Sequence, residues 1–466
     1  MKNTTSYIWS FAGRFGSQVT FLITNIVLAR ILTPDDFGTI GVISIFISVS
    51  NTISDSGMGG ALMMEKDLNK KNCGTIFCFN IAISVFLFLL LFLCAPLVED
   101  FYNIEDLSIV TRLVSFCIII NAIGLVPKNI LLYKLKFKQI SAVTIVSVCL
   151  AALISIGLAI NRAGVYSLVA YQLLHTFFMT IGYVLMAKYR FPISFDMLSF
   201  KRMFGFGLYT TITCVVDSFY ENLLTSIFGK VFNVTQTGYL AQAKKLEEAS
   251  SSSIMVTINN TAYPILSKIR NDIDAFKKET QSLQEIIPNV ITPALIILGV
   301  YSKEIILLLY GKEWEYAAPY LSLLVVAGFF MIIESINRNF IKSLGDVKEL
   351  FFYTLLKRIT GCLFIFISIF LSPHLILYAY VLSAFWGYIV NSYLYCNLTK
   401  QSFFLSIWRQ LVSIAPVCVL ASLVWGLYTF SKSLSFSIII NTIIIAIYYL
   451  IELPRLGISI KSKMFQ

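Results

Sequence analysis

Charged and amide side chains recur at helical spacing inside long apolar segments of this chain. Arg14, Gln18 and Asn25 follow one another at steps of four and seven, so one face of a helix would carry them. Asp217 and Glu221, four residues apart, repeat the pattern in a later segment. Inside a membrane such groups are costly and usually face a water-filled cavity, where a cation can bind a phosphate and a carboxylate can exchange an ion.

Two further polar segments extend this set. Ser44, Ser48, Asn51 and Asp55 share a helical face, and "AQAKKLEEASSSS" (Ala241–Ser253) is too polar to face lipid. Together the stripes predict one hydrophilic cavity. The candidates for substrate binding are Arg14, Gln18, Asn25, Lys244 and Lys245. The candidates for coupling to H+ or Na+ are Asp55, Asp217, Glu221 and Glu334.

The elements that must position these residues are membrane-spanning helices. The chain has 466 residues, of which 57% are apolar and 13% charged, and a mean hydropathy of +0.79. A soluble chain carries about 25% charged residues, whereas apolar runs of about 20 residues match the bilayer core. The start, "MKNTTSYIWS", lacks a signal-peptide pattern. We predict an all-α polytopic membrane protein.

The hydropathy pattern predicts about fourteen transmembrane helices joined by short loops. Lys and Arg concentrate in one set of alternate loops, such as "YKLKFK" (Tyr133–Lys138) and "SKIRNDIDAFKKE" (Ser267–Glu279). This bias places those loops and both termini in the cytoplasm, and it accounts for the net charge of +11 without nucleic acid. The predicted spans are 5–31, 36–62, 74–98, 107–131, 139–160, 164–187, 204–229, 236–264, 284–309, 315–342, 348–372, 375–397, 408–430 and 434–452.

A weak internal repeat divides the chain. "LARILTPDDFGTI" (Leu28–Ile40) has a counterpart 200 positions later, "FGKVFNVTQTGYL" (Phe228–Leu240), which aligns Arg30 with Lys230 and Gly38 with Gly238. Each piece links an odd span to the next even one, so both halves enter the membrane in the same sense. We predict a six-helix lobe over residues 1–200, a second over 201–400, and two additional helices with a cytoplasmic tail over 401–466.

The first copy of the repeat also predicts a capped helix start. Thr33 suits the N-cap, Pro34 the first helical position and Asp36 the third, which together make a capping box. Phe37 can lie at the membrane interface, and Gly38 permits close packing against a neighbouring helix.

Structural roles compete with the cavity interpretation. Ser, Thr, Asn and Gln stripes can simply hold helices together by hydrogen bonds. The cluster from Lys244 to Glu248 could be an early, solvated helical turn, and Glu334 with Arg338 could be a structural ion pair. Lys357 and Arg358 could either snorkel to the membrane surface or face the cavity.

The residue inventory argues against catalysis and metal binding. The chain has two histidines and shows no GxSxG, HExxH or phosphate-cradling glycine loop. Its nine cysteines include no CxxC and lie almost all in apolar runs, which favours a packing role. We therefore expect that the protein is not an enzyme, has no metal site and needs no cofactor beyond a possible coupling ion, H+ or Na+.

"ARILTPDDFG" (Ala29–Gly38) resembles the signature turn of bacterial polysaccharide transporters. "TGYLAQAKKLE" (Thr237–Glu247) is similar to a second pattern of the same family, through Gly238, Tyr239, Ala243, Lys245 and Leu246. The chain thus resembles the Wzx-type flippases of O-antigen and other lipid-linked oligosaccharides, within the multidrug/oligosaccharidyl-lipid/polysaccharide exporter superfamily.

This resemblance implies a MATE-like bundle of two lobes in a bacterial cytoplasmic membrane. It implies alternating access and a cationic cavity for the pyrophosphate of an undecaprenyl-linked glycan, with Arg14, Lys244 and Lys245 as the candidates here. Polysaccharide polymerase and chain-length regulator proteins would be candidate partners. The alternatives are a lipid II flippase or a drug/cation antiporter of the same superfamily and, from another class, a membrane polymerase or acyltransferase.

Overall fold

The computed structural model is helical throughout the residues that it describes, which are 2–55, 70–189, 194–345, 347–430 and 434–455. No strand occurs within these ranges. Helices satisfy every backbone hydrogen bond within the segment, as hydrocarbon requires. The predicted all-α class is therefore confirmed.

The helices follow the apolar segments of the sequence closely. They are α1 Lys2–Ala29, α2 Pro34–Asp55, α3 Lys70–Tyr102, α4 Leu107–Tyr133, α5 Phe137–Ile160, α6 Val165–Ala187, α7 Met197–Val231, α8 Val234–Ile269, α9 Ile273–Val300, α10 Ser302–Leu309, α11 Ala318–Leu344, α12 Val347–Leu371, α13 Ile376–Thr399, α14 Phe403–Phe430 and α15 Leu434–Arg455.

Ten helices of the described chain are long and apolar enough to cross a membrane. Many large apolar side chains on them are exposed, for example Phe370 at 89%, as expected of lipid-facing positions. The chain is thus a multi-pass membrane protein, and the count of about fourteen spans stays a prediction. The predicted span 284–309 is wrong as a single helix, because α9 ends at Val300 and the separate helix α10 begins at Ser302.

The described chain forms two compact units. Unit 1 comprises Met1–Gln242 with Leu309–Trp314, and unit 2 comprises Ala243–Leu308 with Glu315–Gln466. Helix α8 therefore contributes its first turns to unit 1 and the rest to unit 2. The predicted division of the chain at residues 200 and 400 into transport lobes stays a prediction.

The turn between α1 and α2, in unit 1, has the predicted capping box. The Asp36 carboxylate accepts hydrogen bonds from the Thr33 backbone N–H and hydroxyl, both at 2.9 Å, and α2 begins at Pro34. The prediction for Phe37 is wrong: it is 2% exposed, and its ring packs edge-on against Trp314 at 5.4 Å. Trp314 lies far from Phe37 in the sequence, so the residues around the turn did not indicate that Phe37 is buried.

The two copies of the repeat meet each other inside unit 1 through their glycines. A Cβ at Gly38 would lie 1.9 Å from the carbonyl oxygen of Val234, and a Cβ at Gly238 would lie 1.9 Å from that of Pro34. Pro34 and Val234 occupy equivalent positions in the two copies of the repeat, so the two contacts are also equivalent. Bare backbones let the first turns of α2 and α8 approach closely, which confirms the predicted role of Gly38.

The basic residues aligned by the repeat also have equivalent roles. Arg30 Nε donates to the carbonyl of Leu309 at 2.8 Å, at the end of α10, and Lys230 Nζ donates to the carbonyl of Phe101, near the end of α3. A cation at a helix C-terminus satisfies a free carbonyl and favours the helix dipole. The repeat therefore places one cation on the C-terminal turn of a helix in each half of the sequence.

Unit 2 is held together by buried polar contacts between its helices. Gln284 on α9 donates to Asn337 on α11 at 2.8 Å, and Asn337 donates to Ser392 on α13 at 2.9 Å. Tyr448 on α15 donates to Asn289 on α9 at 2.8 Å. In hydrocarbon, where apolar contact alone drives little association, such bonds fix which helices are neighbours.

Replacing Gly38 with alanine is expected to destabilise unit 1 by about 1–3 kcal/mol, because the new Cβ overpacks the contact with α8. Thermal unfolding of the purified protein measures the effect. Gly157→Ala is the matched control, since nothing lies within 4 Å of its Cβ position and alanine favours a helix. Equal unfolding temperatures for Gly38→Ala and Gly157→Ala would show that the glycine contact is unimportant.

Candidate functional site

The predicted stripe on α1 runs from an exposed cation to a buried amide. Arg14 is exposed, Gln18 is half-buried, and Asn25 is buried about 16 Å farther along the helix. The Asn25 side-chain oxygen accepts a 3.1 Å hydrogen bond from Gln242, which is itself buried. Asn25 thus forms a hydrogen bond between helices, whereas Arg14 is exposed; substrate binding by both residues stays a prediction.

The stripes on α2 and α7 combine helix contacts with carboxylates. The Ser48 and Ser218 hydroxyls lie 2.7 Å apart, and Asn51 accepts a 3.0 Å hydrogen bond from Asn121. The carboxylates differ in exposure, because Asp55 and Glu221 are exposed and Asp217 is half-buried. The small polar groups therefore join helices, while the acids stay accessible or partly accessible.

The charged cluster on α8 lies well inside the helix. Lys244 and Lys245 are half-buried, and Lys244 forms an ion pair with the more exposed Glu248 at 3.6 Å. Glu247 is only 7% exposed. The alternative of an early, solvated turn is therefore wrong, since α8 begins ten residues earlier, at Val234.

Glu334 is part of a buried ion pair that joins three helices of unit 2. Its carboxylate accepts hydrogen bonds from Lys357 on α12 and from Asn391 on α13. Glu334 is 6% exposed and Lys357 3% exposed. Lys357 therefore neither snorkels nor faces a cavity, because burial next to Glu334 satisfies its charge.

Positive charge exceeds negative charge around this pair. Arg338, one turn along α11, and Arg358, next to Lys357, both act electrostatically on Glu334, and both are half-buried. The sequence predicted Arg338 as the partner of Glu334 but not Lys357, which lies on the following helix. Within the described chain, no cluster of three or more His, Cys, Asp or Glu side chains could hold a metal ion.

A separate cavity of about 950 Å³ lies within unit 2, between α9, α11 and α14. Its wall is mainly apolar, and its polar edge contains Tyr428 and the ion pair of Lys303 with Glu315, whose charged atoms are 2.6 Å apart. Such a wall suits an apolar chain better than a charged headgroup. The predicted site residues do not belong to the lining that the described chain provides.

The described geometry thus consists of accessible cations, partly accessible acids and buried polar helix contacts. A family model described as a polysaccharide biosynthesis protein matches residues 27–319, which is well over half of the chain. The chain belongs to this family. The match includes the capped turn and the α8 cluster, so the resemblance that these segments indicated is confirmed.

The chain is also similar to a curated protein at low sequence identity. The succinoglycan biosynthesis transport protein ExoT of Rhizobium meliloti is 21% identical over 353 residues, covering 75% of this chain and 71% of ExoT. The similarity covers about three quarters of this chain and is not confined to one motif.

Two solved structures share the fold. The lipid II flippase MurJ, in an inward closed conformation, matches with a TM-score of 0.78 at 16% identity, covering 96% of this chain and 99% of MurJ. A multidrug resistance MATE transporter of the MOP superfamily matches with a TM-score of 0.65 at 11% identity, covering 85% and 95%. The MATE-like fold class is therefore confirmed.

Replacing Lys357 with methionine is expected to destabilise unit 2 by about 3–5 kcal/mol, because the buried Glu334 carboxylate loses its counter-charge. Adding Glu334→Gln should recover part of this loss, since the acid is then neutral. Thermal unfolding of the single and double variants measures both effects.

Arg358→Met is the control, since it removes a neighbouring charge that is only half-buried. If Lys357→Met and Arg358→Met unfold at the same temperature, the Glu334–Lys357 pair is not a stabilising element.

Proposed function

We propose that this protein is a flippase for an undecaprenyl-pyrophosphate-linked oligosaccharide repeat unit. It moves the unit from the cytoplasmic to the outer leaflet by alternating access, for the synthesis of O-antigen or another surface polysaccharide. The observation that carries the proposal is the fold of a lipid II flippase over 96% of the chain, in a member of the polysaccharide biosynthesis family.

The chemistry of the substrate fits the charges of the protein. A lipid pyrophosphate carries negative charge and a hydrated glycan, neither of which crosses hydrocarbon unaided. Arg14, exposed on α1, and the half-buried Lys244 and Lys245 on α8 supply cations for the pyrophosphate. The substrate crosses unchanged, so the protein acts as a transporter and not as an enzyme.

A drug/cation antiporter fits these residues less well. A site for cationic drugs calls for carboxylates in an aromatic or apolar pocket, whereas three of the five substrate-binding candidates here are basic. Lipid II also carries a lipid pyrophosphate, so it is the competing substrate. An experiment must therefore distinguish transport of lipid II from transport of a polysaccharide repeat unit.

The membrane arrangement completes the proposal. The protein lies in the bacterial cytoplasmic membrane with both termini in the cytoplasm, as the distribution of Lys and Arg favours. The lobes over 1–200 and 201–400 alternate access to the cavity, and 401–466 adds two helices. A polysaccharide polymerase and a chain-length regulator are the proposed partners, which would use the repeat unit after it has reached the outer leaflet.

Deleting the gene tests the function directly. We expect a lipid-linked repeat unit of a surface polysaccharide to accumulate on the cytoplasmic leaflet, with loss of that polysaccharide from the surface. Lipid analysis identifies the glycan. Accumulation of lipid II with normal surface polysaccharide would favour the competing substrate, and a normal lipid pool would contradict both.

Arg14→Ala is expected to abolish complementation of the deletion strain at unchanged membrane abundance, because the pyrophosphate loses an accessible cation. Staining of surface polysaccharide and immunoblotting of membranes measure the two quantities. Arg162→Gln, which changes an exposed arginine between α5 and α6, should complement normally. Normal polysaccharide with Arg14→Ala would remove Arg14 from the site.

Ion coupling is proposed for Asp55, Asp217, Glu221 and Glu334, which could exchange H+ or Na+ between two conformations. Transport by Asp217→Asn and Glu221→Gln variants should lose its dependence on the ion gradient, because neutral side chains cannot exchange the ion. Uptake assays in vesicles with imposed gradients measure this. An unchanged dependence would exclude these two residues.

A further inference from the structure

Glu247 lies against α11, a helix of unit 2, at a glycine. A Cβ added to Gly328, on α11, would lie 2.0 Å from Glu247 Oε1, so the carboxyl group occupies the space that the glycine leaves free. Glu247 is 7% exposed, and its Oε1 is buried without a hydrogen-bond partner in the described chain. Any larger residue at position 328 would displace this carboxyl group.

The described charges near Glu247, a lysine and a second glutamate, do not neutralise it. Lys244 and Glu248 act on it electrostatically from its own helix, but Lys244 is already paired with Glu248 at 3.6 Å. Ser251, one turn farther along α8, places a hydroxyl next to the carboxyl group. On α11, the backbone of Gly328 lies against the Glu247 carboxyl group.

An ionised carboxylate in this position would be costly. A buried charge with one oxygen against aliphatic backbone loses hydration without gaining a donor. A neutral carboxylic acid avoids most of that cost, and its O–H can donate to a hydroxyl such as that of Ser251. The geometry therefore favours the protonated acid for as long as Glu247 lies on Gly328.

We propose that Glu247 is a proton-binding site. Its protonated state is stabilised while the carboxyl group occupies the space next to Gly328 that the missing side chain leaves, here called the Gly328 notch. When the carboxyl group leaves the notch and meets water, the acid transfers its proton to water and leaves a carboxylate. The proton is then the ligand, and its binding is linked to the contact between α8 and α11.

This site adds a charge change next to the cations that the proposed function assigns to the pyrophosphate. Protonation of Glu247 raises the net charge of the stretch from Lys244 to Glu248 by one, two residues from Lys245. The consequence for transport rests on the proposed function, whereas the proton site itself does not.

Infrared spectroscopy of the full-length purified protein at neutral pH tests the proton site without any lipid substrate. The wild type should show a protonated-carboxyl band that is absent in Glu247→Gln and retained in Glu248→Gln, the adjacent and more exposed acid. Gly328→Ala should weaken the same band, because its Cβ displaces the carboxyl group. An identical band in Glu247→Gln would overturn the proposal.

The pH dependence of thermal unfolding gives a second readout. An exposed glutamate titrates near 4.3, so unfolding at neutral pH releases the proton of Glu247. As the pH rises from about 4.3 towards neutral, the folding equilibrium constant of the wild type should therefore fall by up to about tenfold per pH unit, relative to that of Glu247→Gln. Parallel pH profiles for the two proteins would contradict the proposal, and Glu248→Gln should follow the wild type.

Discussion

The reciprocal contact of Gly38 with Val234 and of Gly238 with Pro34 organises unit 1. The first turns of α2 and α8 abut there, and side chains of its own turn cap each helix start. Asp36 and Thr33 cap one start, and Asn233 accepts from the Gln236 N–H at 2.8 Å at the other. In the same unit the Trp314 indole donates to the Ala29 carbonyl at 2.8 Å. The glycine contact, the two caps and the Trp314 indole thus lie together around the starts of α2 and α8.

The hydrocarbon environment explains which polar groups are accessible. Amides and hydroxyls have no water inside a membrane, so Asn25 with Gln242 and Gln284 with Asn337 satisfy each other between helices. Charges are more costly, and the buried acid Glu334 is accompanied by Lys357. Arg14 and Glu221 differ from Glu334 in being exposed. Glu247 follows neither course, since it is buried and its Oε1 has no hydrogen-bond partner among the described residues.

Local signals in the sequence predicted the local features well. The apolar segments indicated the all-α class, and Thr33, Pro34 and Asp36 indicated the capping box because each acts within a single turn. The alignment of Gly38 with Gly238 was also visible in the sequence. The failures all concern contacts between distant residues: Lys357 lies on a different helix from Glu334, Trp314 buries Phe37, and Gly328 receives Glu247. The break at Tyr301 likewise accompanies hydrogen bonds with Ser437 and Asn441, on the far helix α15. Helical periodicity identifies a polar face but not the residue that faces it.

We propose that this protein by itself moves a lipid-linked glycan across a bilayer. Reconstitution into vesicles tests it, with an undecaprenyl-pyrophosphate oligosaccharide placed in the inner leaflet and a membrane-impermeant glycosidase outside. The account predicts cleavage of the glycan at a rate that rises with the amount of protein and falls in Arg14→Ala vesicles. Cleavage no faster than in protein-free vesicles, with correctly folded protein present, would contradict it.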